Sequence, residues 1–219
     1  MPSPPNTPRT GPLSGRKAQA NRNDEVILRA ARDVFVADPS APISAVAKEA
    51  GVGISALYRR YESKEVLLQT LCADGLATYI ACAEAALASG AGPWETLTDF
   101  VRGVIDADVH ALTVNLAGTF TPTTAMFEQT TRAVELAGQI FGQARAAGVV
   151  RPDFSFNDIA MLLEQLTAIT GASPERTREL RRRYLAMHFD ALRPEAAKGE
   201  MPGPPPTDEE LGARWIPKG

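Results

Sequence analysis

The 219-residue sequence has two cysteines, two histidines and no stretch of about 20 consecutive apolar residues. Zinc motifs need three or four Cys and His side chains at fixed spacings, and the two cysteines and two histidines here do not have such spacings. A membrane-spanning helix needs about 20 apolar residues, and a secretory leader needs an apolar run after its basic residues. Both patterns are missing, which predicts a cytoplasmic protein that does not enter a membrane. We interpret Cys72 and Cys82 as buried free thiols, since unpaired cysteines are usually buried.

The sequence also lacks the motifs of several large enzyme classes. It has no G-x-S-x-G motif, no Walker-type loop and no dinucleotide fingerprint after a predicted strand, so no cofactor is predicted. A di-iron helical bundle needs a Glu three residues before a His on two helices. The positions three before His110 and His188 are Ala107 and Leu185. These absences argue against a small helical enzyme or metal-binding bundle, the main alternative from another functional class.

Charge is unevenly distributed along the chain. The net charge is -3, but residues 1–70 contain ten Lys/Arg against seven Asp/Glu, which gives +3 and leaves -6 for residues 71–219. A protein with net negative charge is a poor general binder of polyanions, whereas a locally positive segment can face phosphate. The first third of the chain is therefore the candidate for a nucleic-acid contact.

The hydrophobic period is helical between the two ends of the chain, and no segment alternates with period two for long enough to indicate a sheet. Eleven of the seventeen prolines lie in residues 1–12 and 194–217. We predict an all-α fold of about nine helices. In this prediction, residues 1–22 form a flexible basic, proline-rich arm, and residues 23–70 form a helix-turn-helix domain. Residues 71–193 form a ligand-binding and dimerisation domain, and residues 194–219 form a flexible proline-rich tail. A short docked segment containing Leu211, Trp215 and Ile216 is the alternative for the tail.

Several helix starts are marked by capping residues. Ser63 can cap a long helix that begins at Lys64. Ser155 and Asp158 have the spacing of a capping box. Pro174 follows Ser173, a pattern typical of a first helical turn.

The stretch "AVAKEAGVGISALYRRYESKE", residues 45–65, has the pattern of a helix-turn-helix. Gly51 can adopt the left-handed conformation that ends a short helix. Leu57 and Tyr61 then give the next helix an inward face, so its outer face is free to enter a DNA major groove. A plain pair of surface helices is the alternative. The residues on the outer face are Ile54, Ser55, Ala56, Tyr58, Arg59 and Arg60.

Residues 43–68, "ISAVAKEAGVGISALYRRYESKEVLL", resemble the N-terminal signature of the tetracycline-repressor-like (TetR) family of bacterial regulators. The shared elements are an apolar-Ala pair, Ala-Gly-Val, Leu-Tyr, an aromatic residue three positions on, and Ser-Lys-Glu opening a long helix. Tyr61 stands where Phe is more usual. The match covers about residues 23–70, and beyond residue 70 the likeness is one of helix layout.

The resemblance implies a role for individual residues. Tyr58 and Lys64 would contact phosphates, whereas Arg59 and other outer-face side chains would meet base edges or flanking phosphates. Ser44 is either a helix N-cap or a phosphate contact. The basic residues of the arm would reach along DNA, or form a solvated tail: Arg16, Lys17 and Arg22.

Two later segments, residues 156–170 and 175–192, each have an apolar face. Their helices suit the core of one chain or half of a four-helix bundle between two chains. The resemblance favours the bundle, since members of the family are dimers through their last two long helices. The predicted interface residues are Leu162, Leu166, Ile169, Leu180, Tyr184, Met187 and His188.

Residues 93–147 contain aromatic and Met residues at helical spacing, which are typical of a core. The resemblance implies a small-molecule site among these helices, and such a site would be mainly apolar with a few polar groups. The candidate ligand contacts are Trp94, Phe100, His110, Asn115, Phe120, Met126, Phe127 and Gln139.

The sequence thus predicts a DNA-binding transcriptional regulator, in the family's common mode a homodimeric repressor that a small apolar molecule releases from a palindromic double-stranded operator. The alternative is a helical DNA-binding protein without an effector, in which residues 93–147 would only pack.

Overall fold

The computed structural model describes residues 12–110, 116 and 118–213, with side chains from residue 23 onward. This part of the chain has nine α-helices, one 3-10 helix and no strand, so the all-α prediction is confirmed. The helices are α1 (Pro12–Ala37), α2 (Ile43–Glu49), α3 (Ile54–Arg60), α4 (Lys64–Ala88), α5 (Pro93–Asp106), α6 (Thr124–Ala146), α7 (Phe156–Thr167), α8 (Pro174–Leu192) and α9 (Asp208–Gly212), with the 3-10 turn at Pro194–Ala196. The described residues divide into two compact units, with the boundary between Glu62 and Ser63.

The first unit is a small helical domain in which α1 packs against α2 and α2 against α3. Phe35 of α1, Val46 of α2 and Leu57 of α3 are each completely buried. Burial of these side chains against α1 stabilises α2 and α3, which have seven residues each and would not persist alone in water.

The turn between α2 and α3 depends on a left-handed glycine. Gly51 has φ +64°, and its N–H donates to Lys48 O at 3.2 Å. The N–H of Val52 donates to Ala47 O at 3.0 Å, which completes a Schellman motif. The sequence-based prediction for Gly51 is confirmed. A side chain at this position would meet no neighbouring atom, so its cost would come from the backbone conformation.

In the second unit, α4 packs along α5 and α6, and α8 packs against α5 and α7. The core includes Phe100 of α5, Ile140 of α6 and Leu163 of α7, each at most 2% exposed. By length and composition α4 could cross a membrane. It also buries Leu67, Leu71 and other residues within the chain, as the core helix of a globular domain does.

The predicted helix starts are also confirmed. Ser63 caps α4 by accepting from Val66 N at 3.1 Å. Ser155 accepts from Asp158 N at 3.3 Å while the Asp158 carboxylate accepts from Ser155 N at 2.7 Å, which is a complete capping box.

A buried arginine joins three parts of the second unit. Arg181 of α8 is 4% exposed, and its guanidinium donates to Thr167 O at 2.8 Å, Ile169 O at 3.1 Å and Asp108 Oδ1 at 2.5 Å. The two carbonyls lie at the end of α7, where backbone acceptors have no helical partner. Asp108 has φ +54°, an uncommon conformation for a residue with a side chain. Arg181 therefore holds the end of α7 and the turn after α5 to α8.

Three features differ from the sequence-based predictions. The arm was expected to be flexible through residue 22, but α1 begins at Pro12. Residues 14–22 contain good helix formers and no proline, which favours extension of the helix. The tail was expected to be flexible from residue 194, but residues 194–213 dock on the second unit through long-range hydrogen bonds. Cys72 is buried as expected, whereas Cys82 is only half-buried.

Candidate DNA-binding surface and effector cavity

The outer face of α3 is exposed as the helix-turn-helix pattern predicts. Ile54 is 40% and Tyr58 46% exposed, while Leu57 is fully buried. Ser55 and Arg59 are also exposed, and Ala56 is half-buried. The turn and the buried Leu57 thus present one side of a short helix to the solvent, the arrangement needed to enter a groove.

Arg60 lies on this helix but is bound by the neighbouring helix α1. Its Nε donates to Asp24 Oδ1 at 2.6 Å, and its Nη2 forms an ion pair with Asp24 Oδ2. The hydrogen bond and the charge of Asp24 raise the pKa of Arg60 above its ordinary value. A guanidinium held in this two-pronged contact must leave Asp24 to read bases, so a contact of Arg60 with base edges or flanking phosphates stays a prediction.

Two other predicted DNA contacts stand at helix starts. The N-cap of α2 is Pro42, so Ser44 lies inside the first turn and is exposed. This excludes the capping role proposed for Ser44 and leaves the phosphate contact as its prediction. Lys64 is the first residue of α4, in the second unit, and is half-buried.

The second unit contains a mainly apolar cavity of about 540 Å³. Its walls come from α4, α6, α7, the segment at residues 109–110, and α9 of the docked tail. The lining residues are Gly75, Leu76, Tyr79, Val109, His110, Thr130, Ala133, Val134, Phe156, Asn157, Ile159, Ala160, Leu163, Asp208, Leu211 and Gly212. A cavity of this size can hold a drug-sized ligand.

Among the predicted ligand contacts that the structure describes, His110 lines this cavity, and Asn115 lies outside the described residues. Phe100, Phe120 and Met126 are at most 5% exposed and do not line the cavity, so they are core residues. They were misassigned because an aromatic residue on an amphipathic helix looks the same in sequence whether it faces a cavity or a packed core.

Three further predicted contacts also lie outside the lining of this cavity. Trp94 packs under Arg193, whose Cζ lies 3.7 Å from the ring centroid. Phe127 is 62% exposed and Gln139 is exposed, and neither lines the cavity. Both are on α6, but the cavity-facing side of that helix is formed by Thr130, Ala133 and Val134.

Sequence reasoning missed the contributions of α4, α7 and the tail. Gly75 and Tyr79 are one turn apart on α4 and both line the cavity, and a side chain at Gly75 would project into open space. Burial raises the pKa of Tyr79, so its hydroxyl is neutral, and its ring packs edge-on against Phe100 with centroids 5.2 Å apart. A glycine within the long apolar helix α4 is the sequence feature that could have indicated that this helix forms a wall of the cavity.

Charge in the cavity is sparse. Asp208 is the acidic lining residue, and Lys and Arg do not occur among the lining residues. Asp208 Oδ1 accepts from Asn157 Nδ2 at 2.8 Å. A ligand carboxylate would meet no fixed cation inside this cavity, and burying an anion without a partner is costly.

The predicted dimer residues fall into two groups. Leu162 and Leu166 are 6% and 0% exposed within the single chain, so they are core residues and not surface available to a partner. Tyr184 and Met187 are 43% and 59% exposed. A half-buried group completes the set: Ile169, Leu180 and His188.

The described residues contain no group of three His, Cys, Asp or Glu side chains placed to hold a metal ion.

Comparison with protein families gives two matches that follow the two units. Residues 27–71 match the model "Bacterial regulatory proteins, tetR family", and residues 92–194 match "Transcriptional regulator SbtR-like, C-terminal domain". No curated protein sequence matches the chain significantly.

Solved structures of TetR regulators are similar over most of the chain. A TetR transcriptional regulator from Streptomyces coelicolor is 28% identical, with 78% of this chain and 98% of that chain covered and a TM-score of 0.52. The ketosteroid transcriptional regulator KstR2 of Mycobacterium tuberculosis is 19% identical, with coverage of 78% and 95% and a TM-score of 0.60. The regulator LfrR from Mycobacterium smegmatis, solved in complex with proflavine, is 22% identical, with coverage of 77% and 96% and a TM-score of 0.55. The helix-turn-helix unit, the helical second unit and both family matches identify this chain as a member of the TetR family of bacterial DNA-binding transcriptional regulators.

Proposed function

We propose that this protein is a homodimeric repressor that binds a pseudo-palindromic operator in the cytoplasm and releases it when a small, mainly apolar molecule occupies the cavity. The observation that carries the proposal is the cavity of about 540 Å³ in the second unit of a chain whose first unit is a helix-turn-helix. The cavity provides a place for an effector, and α3 provides a surface for DNA.

The exposed face of α3 supports the DNA-binding half of the proposal. Arg59 is exposed, and arginine suits the O6/N7 edge of guanine. Tyr58 and Ser55 are exposed beside it and can donate to phosphates. Ile54 offers an apolar contact for a thymine methyl group.

A second apolar stripe on α8 supports the dimer. One face of α8, which includes Leu185 and Phe189, is buried within the chain. Leu180, Tyr184 and Met187 follow each other at intervals of four and three residues on a different face and are half-buried or exposed. A helix with apolar residues on two faces needs a second partner, and a two-fold copy of the same helix supplies one.

The lining of the cavity supports a neutral or cationic effector over a carboxylate. The walls are mainly aliphatic and aromatic, and the polar groups that face inward include Thr130, Asn157 and His110. The M. smegmatis relative was solved with proflavine, which is therefore a reasonable first probe.

Selection of DNA from a random library by the purified protein tests the operator and the dimer together. We expect a site with inverted symmetry and half-sites centred about one helical turn, or a multiple of it, apart. Recovery of a site without inverted symmetry would contradict the two-fold dimer.

The effector half is tested by filling the cavity. Ala160 lines the cavity, so Ala160→Trp should abolish release of DNA by an effector found in a screen of neutral and cationic lipophilic compounds. Ala85→Trp, an equally large change at an exposed position of α4, is the control and should respond as the wild type does.

A DNA-binding protein without an effector is the remaining alternative. It predicts that no compound in the screen raises the melting temperature or releases DNA. The cavity argues against it, because a pocket of this size with a mainly apolar lining and a few polar groups is typical of a ligand site.

A further inference from the structure

The C-terminal segment that follows α8 forms one wall of the cavity, which no family resemblance predicted. We call residues 199–213 the strap. The strap contributes Asp208, Leu211 and Gly212 of α9 to the cavity lining. The other lining residues belong to α4, α6, α7 and the segment at residues 109–110.

The strap is fixed to the second unit at two points. At the first, Arg151 Nη2 donates to Gly199 O at 2.9 Å, and Asp153 Oδ2 accepts from Met201 N at 2.7 Å. The Met201 side chain packs against the hydrophobic core. At the second, Asn157 Nδ2 of α7 donates to Pro206 O at 2.9 Å and to Asp208 Oδ1 at 2.8 Å.

The sequence between the two points restricts the path of the chain. "PGPPP" occupies residues 202–206, and each proline fixes its own φ, so this connection loses little conformational entropy when the strap docks. Thr207 and Glu210 then start α9 with a capping box, with Glu210 N to Thr207 Oγ1 at 3.2 Å and Thr207 N to Glu210 Oε2 at 2.8 Å.

A five-residue helix does not persist in water without tertiary contacts. α9 is therefore held by the Asn157 contact and by Leu211, whose half-buried side chain lies at the cavity. The strap combines a stiff connection with a short helix that has few contacts, so α9 can leave the cavity at low cost while Met201 keeps the base of the strap in place.

We propose that the strap is the cap of the effector cavity, so that effectors enter and leave when α9 detaches and contact Leu211 when it is docked. This inference rests on the proposed function, since it assigns the cap to the same cavity. In this proposal the strap sets the rate of effector release. The strap lies beyond residue 194, where the match to the family's C-terminal domain ends.

The first test measures the cap without any ligand, by amide hydrogen exchange of the full-length protein. Asn157→Leu removes both side-chain hydrogen bonds to the second anchor point, so exchange in residues 208–212 should rise at least tenfold. Gln165→Leu, a similar change at an exposed position of α7, should leave it unchanged. If residues 208–212 exchange as fast in the wild type as in Asn157→Leu, the strap is not docked and the proposal is wrong.

The second test measures ligand release by stopped-flow fluorescence, with N-phenyl-1-naphthylamine as a neutral probe displaced by excess 1-decanol. Leu211→Asn should raise the dissociation rate about fivefold or more, since affinity changes appear mainly in dissociation. Glu209→Gln, an exposed position of the same helix that does not line the cavity, should match the wild type.

The outcomes separate the cap from the effector function. Probe binding with equal dissociation rates in Leu211→Asn and the wild type would overturn the cap and leave the proposed function intact. Failure of the wild type to bind this probe or any compound of the effector screen would overturn the proposed function, and the cap with it.

Discussion

Asp24 of α1 accepts from both Nε and Nη2 of Arg60 in α3, across 36 residues of sequence. The pair fixes the end of the recognition helix to the longest helix of the first unit. Arg60 is therefore held by α1, whereas the side chain of the adjacent Arg59 is exposed.

We predict that Arg60→Gln and Asp24→Asn each destabilise the first unit, and that the double variant is no less stable than either single variant. The pair is partly exposed, so its coupling should be about 0.5–1 kcal/mol. A double-mutant cycle of urea unfolding measures it. Additive effects would show that the two side chains do not interact in solution.

Arg59→Ala should relax the preference for particular base pairs by about 1–3 kcal/mol, because a bidentate contact to guanine would be lost. Repeating the DNA selection with this variant measures the change, with Arg29→Ala, an exposed arginine of α1, as the control. Weakening that is equal for all sequences would assign Arg59 to phosphate contacts.

Arg181→Met should destabilise the second unit by about 3 kcal/mol, because three acceptors lose their donor and two of them are carbonyls at a helix end. Arg182→Met is the matched control, since Arg182 is exposed and pairs with Asp106 at 2.8 Å on the surface. Thermal unfolding should show a large drop in Tm for the first variant and little change for the second. Equal drops would contradict the structural role of Arg181.

Tyr184→Asp should break the dimer and weaken operator binding, because it places a charge within the exposed apolar stripe of α8. Sedimentation velocity measures the association state. Phe127→Asp introduces the same charge at a more exposed aromatic residue of α6 and should remain dimeric. If Tyr184→Asp stays dimeric and Phe127→Asp does not, the interface lies on α6.

Docking of the strap should weaken in acid. The hydrogen bond from Arg151 lowers the pKa of Asp153 from its ordinary value of 3.8 to about 2, with a further contribution from Met201 N–H. Because the folded pKa is depressed, this stabilisation is complete above pH ~4 and is lost as the pH falls towards 2. The difference in unfolding free energy between the wild type and Asp153→Asn should be constant above pH ~5. It should shrink as the pH falls from about 4 towards 2. A difference that does not change with pH would show that Asp153 is not paired in solution.

The parts of the fold that were predictable depend on neighbours within a few residues. Gly51, Ser63 and the Ser155–Asp158 box interact within one helical turn, so the sequence around them contains the whole signal. The outer face of α3 was predictable for the same reason, because the turn and Leu57 determine which side of the helix is exposed.

The cavity and the interface were less predictable because they depend on which helix faces meet. Leu166 and Tyr184 are both apolar residues at helical spacing, and only the packing of α5, α7 and α8 distinguishes the buried residue from the exposed one. The strap depends on contacts such as Asn157 to Pro206, 49 residues apart, for which the sequence offers no local signal.

The position of the cavity along α4 has a mechanical consequence. Gly75 lines the cavity eleven residues after Lys64, so about 17 Å of rigid helix separates the cavity from the start of α4. A pivot of about 5° at Gly75 would move Lys64 by about 1.5 Å, and the first unit is joined to that end by the peptide chain at Glu62. If an effector pivots α4 in this way, the displacement grows with distance from Gly75 and is largest at Lys64, the end to which the DNA-binding unit is attached.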